Sequence, residues 1–219
     1  MTADNKIILD LEARATVFSL LAQAFNYPDR ELIASLRKGE FPAALRSAVG
    51  CFQNAASVSK EVAAIEKEYV ASARTDDAVL LDLEKDYTNM FFSSKPRLVY
   101  LFESVYNEGK LLQDSTFQIA RLYYDAGLRP AEHFKLPPDH IAVEFEFMSY
   151  LYFNEIKAIE TNNLKNADFA RKLQDDVMNN HLASFGRTLA EKVALHGKTV
   201  FYKEIGKITA FVLAKAQSR

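Results

Sequence analysis

The sequence predicts an all-α protein, a single-domain bundle of about nine or ten helices over residues 1–219 with two irregular loops near its middle. Two observations predict it. Apolar residues recur at helical spacing through most of the chain. Only 7 glycines and 6 prolines occur in 219 residues, too few for a turn-rich β architecture. With 49% hydrophobic and 26% charged residues, a chain of this length can bury a sizeable core.

Leu9 to Asn26 reads as an amphipathic helix, with Ala13, Val17, Leu20, Leu21 and Ala24 on one face and Tyr27-Pro28 as its stop. Asp29 caps a short helix to Lys38, and Gly39 ends it at C′. Phe41 to about Ala73 is mostly helical with a break near Ala55–Ser59, and Thr75-Asp76-Asp77 is a cap region. Ala78 to Phe92 is the next helix, with Leu80, Leu83, Tyr87, Met90 and Phe91 on its apolar side. Residues 93–113 lose the helical period and contain Pro96 and Gly109, so they read as an ordered loop in which Leu98–Phe102 has strand character without a partner.

Ser115 and Gln118 form a capping box for a helix to Ala126, closed by Gly127. Residues 128–138 make the second loop. Pro137-Pro138 forbids a helix from running through, and Asp139 stands at the N-cap position of a long helix to about Glu160. Thr161-Asn162-Asn163 turns the chain. Helices follow over 166–180 and 182–196, Gly197 ends the second, and a last helix carries Val200, Phe201, Ile205, Ile208 and Val212.

Charge narrows the function classes. The net charge of −2 gives no footing for nucleic-acid binding. Cys51 is the single cysteine, which excludes a disulfide framework and a multi-cysteine zinc site. No targeting segment or uncharged apolar run of membrane length is visible, so a soluble, cytoplasmic protein without stable membrane insertion is expected. The charge is unevenly placed: residues 76–155 hold 14 acids against 7 Lys and Arg (−7), and the rest holds 15 against 20 (+5). A negative surface around apolar side chains suits a ligand that is both cationic and apolar. Solvation of ordinary helix faces is the competing explanation.

The helix opening at Asp139 concentrates this charge, with Asp139, His140, Glu144 and Glu146 in its first turns. Acids there also complement the helix dipole, and local pattern does not choose between dipole compensation and a recognition site. Catalytic motifs are lacking. There is no glycine-rich phosphate loop and no Gly-x-Ser-x-Gly elbow. A di-iron bundle needs Glu-x-x-His on two helices. The residues three before His133, His140, His181 and His196 are Pro130, Pro137, Met178 and Val193, so no carboxylate serves. His140 and Glu144, at i and i+4, are the one pair an enzyme could use, more simply as a hydrogen-bonded pair than as metal ligands. No catalytic residue, metal ligand or cofactor is assigned.

Three blocks carry a resemblance: Asp86-Tyr87-x-x-Met90-Phe91, Phe102-Glu103-Ser104-Val105-Tyr106, and Pro138-Asp139-His140-Ile141-Ala142-x-Glu144-Phe145-Glu146-Phe147-Met148. The chain resembles the TorD/DmsD family of redox-enzyme maturation chaperones through most of its length. His181-Leu182, Phe185 and Phe201-Tyr202 match the family's C-terminal pair of helices. The resemblance implies a cytoplasmic, all-helical, non-enzymatic chaperone. Its partners would be the twin-arginine signal peptide and apoprotein of a molybdopterin oxidoreductase, held until cofactor insertion and before export. Carried onto this chain, the recognition surface implicates Tyr87, Phe91, Glu103, Tyr106, Asp139, His140 and Glu144, with Met90 and Glu146 beside them. Asp139, Glu144 and Glu103 would meet the arginines, and Tyr87, Met90 and Phe91 would line an apolar trough. The double variant Asp139→Ala/Glu144→Ala is then expected to weaken peptide binding with the thermal midpoint nearly unchanged. Loops 93–113 and 128–138 could act as hinges for helix exchange, and relatives form swapped dimers. The chain departs from the family in having no tryptophan, Leu101-Phe102 where Pro-Tyr is usual, and Met90 for leucine. A metal- or nucleotide-dependent enzyme centred on His140 and Glu144, and a helical adaptor without peptide specificity, are the alternatives.

Overall fold

A computed structural model of the chain describes residues 3–93, 95–131 and 135–216. Ser94 and residues 132–134, His133 among them, fall in the two expected loops and lie outside the described residues. Among those described, α-helices make up most of the regular structure: α1 (Ala3–Phe25), α2 (Arg30–Lys38), α3 (Glu40–Val49), α4 (Ser59–Tyr69), α5 (Asp76–Thr88, continued by a π-helical segment, Asn89–Ser93), α6 (Glu103–Glu108), α7 (Asp114–Asp125), α8 (Ile141–Glu160), α9 (Leu164–Asp176), α10 (Ala183–His196) and α11 (Val200–Ala216). A 3-10 turn, Ala55–Val58, supplies the expected break before α4. A π-helical segment, Val177–Leu182, joins α9 to α10. The expected interruption near residue 181 is therefore a widened turn in one continuous helix.

One hydrophobic core runs through the bundle. α8 packs along α1, where Phe18 stacks on Tyr152 and tilts against Phe145, both at 5.9 Å between ring centroids. Ser149 in α8 donates to the Ala15 carbonyl of α1 at 2.9 Å. α10 and α11 approach closely enough to require glycine. A Cβ on Gly206 would lie 2.5 Å from Ala194 N and 2.7 Å from Ala190 O, backbone atoms that cannot step aside.

Several caps follow local chemistry. Asp29 accepts from Leu32 N at 2.8 Å, Gly39 closes α2 with φ +77°, and Thr75 Oγ1 accepts from Ala78 N. Others are borrowed across the fold. Ser115 does not cap α7, which starts one residue earlier behind Gln113. Its N and Oγ instead donate to Glu108 Oε1 of α6, at 3.1 and 2.6 Å. Asp139 does not cap α8 either. His140 is the N-cap, its Nδ1 accepting from Ala142 N at 3.2 Å.

Residues 95–113 are more ordered than a loop. Ile141 N donates to Leu101 O at 2.8 Å and Glu103 N to Asp139 O at 3.0 Å, an isolated antiparallel bridge centred on Phe102 and His140. The strand character of Leu98–Phe102 thus finds one partner residue rather than a sheet. α6 follows at once. It is too short to announce itself by apolar periodicity.

Candidate functional site

The bridge draws four of the expected residues into one place. Glu103 opens α6, Asp139 and His140 precede α8, and Glu144 lies on its first turn. All four are buried, and Asp139 and Glu144 have no exposed surface at all. The three carboxylates expected to meet the arginines are therefore enclosed by the fold. It gives an internal acidic cluster whose one ring-nitrogen partner among the described residues is His181, against Glu103.

Each acid is held differently. Asp139 Oδ2 accepts from Ser104 N at 3.0 Å and Ser104 Oγ at 2.6 Å, supplying the cap that α6 lacks from its own sequence. Glu103 Oε2 is hydrogen-bonded to His181 Nδ1 at 2.9 Å, and its Oε1 accepts from Asn107 Nδ2 at 3.1 Å. This ties α6 to the π segment before α10. Glu144 has no hydrogen-bond partner at either oxygen among the described residues. Burial pushes its carboxyl well above the usual range, and the nearby Glu103 and Asp139 charges add to the push. It keeps its proton to a higher pH than an ordinary glutamate.

His140 shows the opposite response. Burial lowers it from 6.5 to about 4, against an upward pull from Asp139. Its ring stands edge-on to Phe102 at 5.3 Å. With Nδ1 committed to the helix cap, it is a neutral structural imidazole at neutral pH. Among the described residues no group of three or more His, Cys, Asp or Glu side chains is arranged to hold a metal ion.

Tyr87, Met90 and Phe91 are core residues rather than a trough lining. Tyr87 donates to Phe25 O at 3.1 Å and meets Phe91 edge-on at 4.7 Å. Met90 O accepts from Val99 N, which pins the segment leading to the bridge. Tyr106 is half-buried. Its hydroxyl donates to Tyr100 O at 3.0 Å, and burial raises it to about 12.

The groove lies elsewhere. A cleft of about 510 Å³ opens between α7 and the first half of α8, walled by Tyr123, Tyr124, Leu136, Phe147 and Tyr150. Of the expected residues, only Glu146 lines it, with an exposed carboxylate. Tyr123 connects cleft and cluster. Its hydroxyl donates to Pro138 O at 2.7 Å, while burial, then Glu144, Asp139 and Glu103, push its ionisation well up. Reading the sequence missed these wall residues. Tyr123, Phe147 and Tyr150 sit at helical spacing like core aromatics, and only the adjacent Tyr123-Tyr124 pair hints that one ring must face outward.

Residues 40–191 match the family model described as nitrate reductase delta subunit. A curated relative, chaperone protein TorD of Vibrio parahaemolyticus, is 28% identical over 130 residues, covering 58% of this chain and 59% of that one. Chaperone protein TorD of an Escherichia coli strain is 27% identical over 150 residues, covering 67% of this chain and 68% of that one. The matches to these curated relatives thus span about three fifths to two thirds of their length. A crystal structure assigned as a redox enzyme maturation protein from Archaeoglobus fulgidus superposes with a TM-score of 0.55 at 20% identity, covering 93% of this chain and 94% of that one. That likeness is one of fold.

Proposed function

The chain belongs to the TorD/DmsD family, the one matched by the nitrate reductase delta subunit model, and on that premise we propose that it is a maturation chaperone for a molybdenum-containing redox enzyme. It binds the twin-arginine signal peptide of the apoprotein in the cytoplasm and holds the client until its cofactor is inserted. The names of its relatives support the chaperone role rather than an enzymatic one. The observation that carries the binding step is the α7–α8 cleft: apolar walls, an exposed carboxylate at Glu146, and three buried acids behind Tyr123. Such a cleft takes a peptide that is basic at one end and apolar beyond it.

In this reading Glu146 meets an arginine directly. Asp139, His140, Glu103 and Glu144 act as positioning residues that fix the bridge and the start of α8. Tyr87, Met90, Phe91 and Tyr106 support that frame from the core and its edge. An enzyme centred on His140 and Glu144 finds no support, because Nδ1 of His140 is spent on the helix cap and Glu144 is sealed.

The magnitudes suit a holder that must release. Burying ~400 Å² of apolar peptide surface at ~25 cal/mol/Å² yields ~10 kcal/mol. Ordering the peptide takes back several kcal/mol and leaves a dissociation constant on the order of micromolar. Calorimetric titration with a twin-arginine peptide, beside a Lys-Lys control, tests the role. Saturable heat with the first and a weaker response to the second supports it. No heat with either refutes it.

A further inference from the structure

A second cleft of about 410 Å³, between α8 and α9, adjoins the first and shares Tyr150 as a wall. Together they follow the outer face of α8. Glu146, Tyr150, Asn154 and Lys157 line them at spacings of four, four and three, one face of the helix. From Val143 to Thr161 this face runs about 27 Å at 1.5 Å per residue.

Resting on the leader-binding reading above, we propose that the apolar stretch of the signal peptide lies as a helix along this face. Its arginine-bearing N-terminal end sits at Glu146 and its C-terminal end at Lys157.

Two features of the site lead there. The first concerns the peptide's backbone. The walls are helices and a loop, and among the described residues the one β-bridge, Phe102 with His140, is internal. An extended peptide would find no sheet edge to pair with, and its buried N–H and C=O groups would go unsatisfied. A helix satisfies its own.

The second is charge. Glu146 at one end and Lys157 at the other are exposed, and neither makes an ion pair with a described residue. Arg129, which lines the same cleft as Glu146, is turned to its own surroundings. Its Nη1 donates to Tyr124 O and Leu128 O, and its guanidinium lies 4.7 Å from the centroid of the Tyr124 ring. The positive end of a peptide helix, reinforced by arginines, therefore meets an acid, and its negative end meets a lysine.

The test is fluorescence polarisation with a dye-labelled synthetic peptide of two arginines followed by an apolar stretch, against the full chain. Glu146→Lys is expected to weaken binding about 10-fold and Lys157→Glu about 3-fold, and a proline placed mid-stretch in the peptide about 10-fold. Far-UV circular dichroism confirms that the variants, both at exposed positions, remain folded. If the wild type binds but all three changes stay within about twofold, the peptide lies elsewhere or extended; the proposal falls and the chaperone reading stands. If the wild type binds no such peptide, the chaperone reading itself falls. Sedimentation of Tyr150→Asp covers the remaining occupant. Loss of a dimer with unchanged peptide affinity would make this face a contact between copies of the chain and overturn the proposal.

Discussion

Asp139 caps a helix that begins 36 residues before it. Its Oδ2 takes both the backbone N–H and the hydroxyl of Ser104, and its carbonyl takes Glu103 N. The side chain is fully buried, so removing it strands donors that have no water to turn to. Asp139→Ala should cost about 2–3 kcal/mol. In a chain of this length each kcal/mol lowers the thermal midpoint by about 2–4 °C. Asp139→Asn keeps an acceptor and should cost less. Differential scanning calorimetry of both variants measures this. The same burial reverses the expectation that Asp139→Ala/Glu144→Ala leaves the midpoint unchanged, so loss of binding in that pair is not evidence of direct contact.

Glu144 should behave as a latent liability at neutral pH. Its folded carboxyl titrates above its unfolded value. The stability that follows from this is present below the unfolded pKa of ~4.3 and is lost as pH rises through the folded pKa. Glu144→Gln keeps the shape and removes the charge. It should flatten the pH dependence on that side and be more stable than the wild type near pH 8, with little difference near pH 4. Urea melts at several pH values read both.

His140 should shape the acid side. Its pKa falls from 6.5 to about 4 on folding. Neutral imidazole is favoured in the fold, so this contribution is complete above ~6.5 and is lost as pH falls toward 4. The full effect approaches ~3 kcal/mol. His140→Asn retains an N-cap acceptor and should remove this loss. Between pH 4 and 6.5 it opposes the Glu144 effect, so the two are resolved by comparing the single variants with the wild type.

Gly206→Ala tests the α10–α11 crossing. The added methyl would meet backbone of α10 at 2.5 and 2.7 Å. Overpacking of this kind costs about 1–3 kcal/mol, visible in chemical denaturation. A neutral result would mean the two helices part easily there.

What the sequence reveals depends on whether the cause is local. The Asp29 and Thr75 caps and the Gly39 stop are settled within four residues, and each stands where the pattern puts it. The Ser115 and Asp139 assignments fail because the winning partners, Glu108 and Ser104, come from another element. α6 is hidden by its six residues, and the continuity of 164–196 by a π turn that disrupts the 3.6 period. The site follows the same rule. The acids are legible by residue type. Their burial is not, since it is set by the 101–103/139–141 bridge and by the packing of His181 and Tyr123 against it.

The most direct test is mapping of the bound peptide by nuclear magnetic resonance. Titration of isotope-labelled protein with an unlabelled twin-arginine peptide should shift Ala120, Val143, Phe147 and Tyr150 around the cleft. The α3–α4 face should stay unmoved. Shifts confined to α3 and α4, or saturable binding that leaves those four residues unchanged, are incompatible with a leader held between α7 and α8.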